Sequence, residues 1–151
     1  MREGGEAVVY GEAVRGITRQ QSVIDGLRSR AGTLFSVASL VTAFLGGQVL
    51  TREPDFTSLT WVAVGAFVAL FLLVLSILWP WKFRFVLSAT ILLEDHIDKS
   101  LPELQGYLAT VWEENYDWNQ VRVTKLHLVF RLACIALSVE VLAWLWSLAG
   151  R

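Results

Sequence analysis

Three stretches of apolar residues constrain this chain more than any other feature. Residues 31–51 carry no charge, and neither do residues 56–81; the third stretch, 128–150, is apolar apart from Arg131 and Glu140. A helix needs about 20 apolar residues to cross a hydrocarbon layer about 30 Å thick. The first two stretches meet that requirement cleanly. The third meets it while carrying a carboxylate twelve residues in from Leu128, near the bilayer midplane. The pattern predicts an all-α integral membrane helical bundle of three transmembrane helices with cytoplasmic helical extensions. A mean hydropathy of +0.50 and seven tryptophans suit membrane spans with interfacial aromatic rings.

The expected organisation is a cytoplasmic amphipathic helix over 1–30, two spans with a short outer loop over 31–81, a cytoplasmic helical segment over 82–127 and the last span over 128–151. In the first segment Ile17, Ile24, Leu27, Ala31 and Leu34 recur at helical spacing on one face. No proline or turn cluster separates Arg30 from Ala31, so one helix is expected to run into the first span. The first 30 residues lack an apolar core, and no cleavable signal peptide is expected. A short amphipathic helix is expected over Ser88–Lys99. Ser100-Leu101-Pro102-Glu103 then has the form of a capping box with proline in the first turn. No proline or glycine follows from Tyr107 to Ala149, so one helix is expected from Pro102 to Ala149, about 70 Å long at 1.5 Å per residue.

The first span is unusually small and polar. Gly32 and Ser36, and then Ser39, Ala43 and Gly47, fall at four-residue steps, with Thr42, Gly46 and Gln48 among them. Small residues at this spacing let helix backbones approach, and hydroxyls can bond across the interface. Gly32, Ser36, Ala43, Gly46 and Gly47 are therefore candidate helix-packing positions. The second span is mostly Leu, Val, Ala and Phe, and it ends in Trp79-Pro80-Trp81-Lys82, a headgroup-interface pattern. Five arginines precede residue 31 and five basic residues lie between Trp79 and His127, against Arg52 alone in the first loop. The bias places the N-terminus in the cytoplasm and the C-terminus outside a cell inner membrane crossed three times.

Glu140 is the leading site residue. An ionised carboxylate at mid-span costs roughly 2.5–3.5 kcal/mol on insertion scales. Depth counting along two parallel spans sets it level with Thr42 and Ala43, so Ser39, Thr42 and Gly46 are its expected neighbours. It serves either as an inter-helix hydrogen bond that fixes packing or as a pore-lining group. Arg131 either snorkels to the interface or rings an aqueous entrance. Leu104, Leu108, Val111, Asn115 and Trp118 form a coiled-coil-like stripe, candidate cytoplasmic contacts between subunits, with Asn115 able to set register. Glu113, Glu114 and Asp117 read as a solvated face. Cys134 is a lone cysteine and packs as a small apolar residue. His96 and His127 have no ligand-spaced companions, so no metal is expected. There is no phosphate-binding loop, no nucleophile motif and no carboxylate pair of catalytic form, so neither an enzyme nor a cofactor is expected. A net charge of -1 offers no basic surplus for nucleic acid.

The order of parts resembles a known family. A basic helix enters a small-residue span through Gln20-Gln21-Ser22-Val23-Ile24-Asp25-Gly26-Leu27-Arg28-Ser29-Arg30-Ala31-Gly32. After the second span, a cytoplasmic helix carries Glu114-Asn115-Tyr116-Asp117-Trp118-Asn119-Gln120 into the last one. This layout resembles the small transmembrane effectors of bacterial cyclic-nucleotide antiphage systems, the Pycsar and SLATT kind. The resemblance implies membrane disruption after a signal from a cytoplasmic nucleotide or protein partner. No added sensor domain is expected from these residues. The expected function is an oligomeric, pore-forming or membrane-disrupting effector whose partners are lipid and further copies of itself. The alternatives are a membrane scaffold that binds a partner through its cytoplasmic helices and a small ion channel outside defence.

Overall fold

A computed structural model describes residues 3–52, 57–85 and 100–149. Of these, 93% are helical and none is in a strand. Helix α1 covers Glu3–Val41 and passes without a loop into a π-helical turn, Thr42–Gly46, and then into α2, Gly47–Arg52. Helix α3 covers Ser58–Leu78, and α4 covers Leu101–Ala149. Three of these helical runs are long and apolar enough to cross a membrane: 7–51, 58–78 and 101–149. The protein is an all-α membrane protein.

The ends of the helices follow from local chemistry. Thr57 caps α3, its hydroxyl accepting from the Thr60 amide at 3.3 Å. At the other end Pro80 disfavours the helical region for the residue before it, and Trp79 is extended, with φ −55° and ψ 140°. The Trp79 amide still closes the last turn onto the Leu75 carbonyl. At the start of α4 the Glu103 carboxylate accepts from the Ser100 amide at 3.1 Å, one arm of the expected capping box. The Ser100 hydroxyl donates to the same carboxylate oxygen at 2.9 Å. Within α4 the 49 residues run unbroken: Pro102 falls in the first turn, and no proline or glycine follows Gly106. The amphipathic helix expected over Ser88–Lys99 lies outside the described residues.

The described residues fall into two units. The first draws on 3–25, 81–85 and 100–124, and its buried residues include Ile17, Gln20, Ile24, Ala109, Asn115, Asn119 and Val123. The second draws on 26–52, 57–80 and 125–149. There Ala31, Ala38, Ala63 and Ala133 are fully buried, together with Leu70, Ile77 and Leu126. Phe35 meets Phe67 and Phe71 at ring separations of 6.1 and 5.6 Å, joining α1 to α3. Lipid tails are as apolar as these side chains, so close packing and buried hydrogen bonds, more than transfer from water, hold such a unit together.

Candidate intramembrane polar site

The π-helical turn marks the site in the second unit. Thr42 opens that turn, and its hydroxyl donates to Oε1 of Glu140 on α4. Four residues further along each helix, Gly46 lies against Trp144. A Cβ built on Gly46 would sit 3.2 Å from both Cη2 and Cζ2 of the indole. The two contacts advance in the same sense, so the two helices run parallel here. Glu140 and Trp144 are one helical turn apart and are 0% and 1% exposed. Trp144 forms a core with Val49, Ala63 and Ala143, flanked by Val41, Leu45, Val64 and Leu148. Glu140 faces protein, in a site closed to its surroundings.

The site is incompletely satisfied. Oε2 of Glu140 and Nε1 of Trp144 are buried without a hydrogen-bond partner among the described residues. Unpaired polar atoms are costly in a medium without water, and π-helical turns occur frequently at functional sites. The arrangement can hold a carboxyl group at mid-span through one hydroxyl, and it leaves a second oxygen and an indole N–H with hydrogen-bonding capacity unused.

Of the neighbours expected for Glu140, Thr42 is in place and Ser39 is not. The Ser39 hydroxyl bonds to the Phe35 carbonyl one turn back. Thr33, Ser36 and Thr51 do the same with Ser29, Gly32 and Gly47. A hydroxyl in an apolar setting finds its nearest acceptor on its own helix, which is why the expected cross-helix bonds reduce to one. Gly46 packs closely, as its position suggested, but Gly32 and Gly47 have nothing within 4 Å of a built Cβ. Ser36 and Ala43 are exposed in the single chain. The small residues of α1 that are fully buried are Ala31 and Ala38. Arg131 is exposed and Cys134 half-buried.

In the first unit, the stripe expected between subunits is partly covered within the single chain. Leu104, Leu108 and Val111 are half-buried and Asn115 is buried within the single chain. The guanidinium groups of Arg84 and Arg122 lie over the Trp118 ring, 4.5 and 3.2 Å from its centre. Hydrogen bonds beside the stripe tie α4 to the rest of the unit. Gln20 on α1 donates to the Tyr116 carbonyl at 3.1 Å and to the Gln120 side chain at 3.2 Å. Asn119, fully buried, accepts from the Arg84 amide and donates to the Arg84 carbonyl at 3.0 and 3.1 Å. Sequence reasoning missed Trp144, Gln20 and Asn119 as positioning residues. A buried Asn or Gln carries no signal until its distant partner is known.

No metal-binding cluster of His, Cys, Asp and Glu occurs among the described residues. Compared with known proteins, the chain matches no family model, no curated protein and no solved structure.

Proposed function

We propose that this protein is an oligomeric effector of a bacterial inner membrane, pore-forming or membrane-disrupting, with its N-terminus in the cytoplasm and its C-terminus outside. The observation that carries the reading is Glu140: a carboxyl group fully buried in a span, held by one hydroxyl and set against a π-helical turn. An ionisable residue inside a membrane is rarely kept without a functional reason. The polar centre is the closed state, and action exposes Glu140 to an aqueous path. The outward face of the first span supports oligomerisation. Ser36, Ala43, Gly47 and Gln48 are exposed there in a single chain, and a small, polar stripe suits a second helix better than lipid. The resemblance in layout supports antiphage defence as the setting, with a cytoplasmic nucleotide or protein as the trigger.

Ion flux from proteoliposomes tests this, with and without cyclic mononucleotides. The parent is expected to release ions once triggered. Glu140→Gln keeps shape and hydrogen bonding, so assembly survives while conductance or its pH dependence changes. Glu140→Leu abolishes the bond to Thr42 and weakens assembly. A monodisperse monomer in nanodiscs overturns the oligomer. Absence of flux from all variants with assembly intact overturns the effector. That outcome favours the second reading, a membrane scaffold, which the sealing of Glu140 and an open groove in the first unit also support.

A further inference from the structure

We infer that the groove between α1 and α4 in the first unit binds a basic peptide segment, taking an arginine or lysine side chain with an apolar neighbour. The groove holds about 280 Å³ and is lined by Val9, Glu12, Ala13 and Gly16 from α1 and by Ala109, Trp112, Glu113 and Tyr116 from α4. Three of these eight are Ala or Gly, so the floor lacks the side chains that would fill it. Trp112 and Tyr116, one turn apart on α4, form an aromatic wall.

Charge selects the occupant. Both charged lining residues are carboxylates, one on each helix, and no lining residue is basic. Glu12 is paired with Arg15 on its own helix, whereas Glu113 makes no ion pair among the described residues. An anion, including a nucleotide phosphate, meets repulsion here. A guanidinium or ammonium group meets one free carboxylate and aromatic faces that attract cations, while its methylene stem lies along Val9, Ala13 and Ala109. Apart from the two carboxylates the lining is apolar or aromatic, which suits the apolar neighbour of a basic side chain in a peptide. The site is independent of Glu140. It is the triggering site of an effector or the docking site of a scaffold.

The test is titration of the full-length protein in nanodiscs with three probes: N-acetyl-Leu-Arg-Leu-amide, N-acetyl-Leu-Glu-Leu-amide and butylguanidinium. The arginine peptide is expected to bind and the glutamate peptide not to. Binding should weaken as sodium chloride rises. Glu113→Gln should lower affinity by about fivefold, the upper range for an exposed ion pair. Glu12→Gln should lower it less, because Arg15 already shares that charge. Ala13→Leu, which fills the floor, should abolish binding. Glu114→Gln, outside the groove, should change it by less than about twofold. Equal binding of the two peptides, or binding indifferent to Glu113→Gln and Ala13→Leu, overturns the proposal. Butylguanidinium binding as tightly as the peptide makes the occupant a small cation and also overturns it. A change in the oligomer's mass on Glu113→Gln makes the occupant a second copy of the chain, with the same consequence.

Discussion

Gly46 and Gly47 are adjacent in sequence and opposite in environment, and the contrast yields a quantitative prediction. A Cβ on Gly47 meets nothing within 4 Å, whereas one on Gly46 lands 3.2 Å from two ring carbons of Trp144. Carbon atoms prefer about 3.5–4.0 Å, so the indole must give way by a few tenths of an ångström, and Trp144 is 1% exposed, packed in the core of the unit. Replacing either glycine by alanine gains helix propensity, about 1 kcal/mol in water. That gain is shared by neighbouring positions and cancels in the difference. What remains is the cost of overpacking, about 1–3 kcal/mol, so Gly46→Ala is less stable than Gly47→Ala by that amount. The corresponding shift in the folding equilibrium is roughly 5- to 150-fold. Steric trapping in bicelles, at a protein-to-lipid ratio low enough to keep copies apart, measures it. Trp144→Phe removes the clashing end of the indole, and in that background the difference between the two alanine variants should fall below about 0.5 kcal/mol. Equal stability of the two single variants, or a difference that survives Trp144→Phe, refutes the packing argument.

Thr42→Val removes the one hydroxyl that crosses to Glu140 and should cost about 0.6–1.7 kcal/mol, the range for hydrogen bonds between membrane helices. Ser39→Ala should stay within about 0.5 kcal/mol in the same assay, because Ser39 bonds only its own helix. Asn119→Ala deprives the Arg84 amide and carbonyl of their partner. It should destabilise the first unit by about 1–3 kcal/mol, read as faster hydrogen exchange at the Arg84 amide; unchanged exchange refutes the role. In a Cys134→Ala background, Ser58→Cys should react with an impermeant thiol reagent on intact cells and Ser100→Cys should not. The reverse pattern overturns the proposed orientation.

The helices were legible because their signals are local. Three apolar runs, Trp79-Pro80 as a stop and an uninterrupted run from Tyr107 to Ala149 each act within a few residues, and α3 and α4 follow them. The π-helical turn at Thr42–Gly46 was not legible. It widens a helix without breaking it, and hydrophobic periodicity over a window of 11–18 residues does not register a local change of that size. Its threonine and paired glycines look like packing residues in a straight helix.

The sites divide on a different physical line. Thr42 could be placed beside Glu140 by counting, because two parallel helices rise by the same 1.5 Å per residue, and equal depth follows from equal residue number. Counting fixes depth only to about one turn, so Ser39, one turn from Thr42 on the same face, was an equal candidate; its hydroxyl donates to the Phe35 carbonyl instead. Periodicity has a matching blind spot. The stripe Leu104, Leu108, Val111, Asn115 and Trp118 is partly covered within the chain, where Gln20 of α1 bonds to the same helix at Tyr116 and Gln120, and the pattern could not say how much of it the chain itself would cover. The proposed oligomerisation therefore rests on the outward face of the first span, where Ser36, Ala43, Gly47 and Gln48 are exposed in the single chain. The groove lies furthest from view. It is made by missing side chains at Ala13, Gly16 and Ala109, positions about a hundred residues apart. In the sequence each is an ordinary small residue. Only their juxtaposition makes a cavity, and only the chance to compare both walls shows that its charges have one sign.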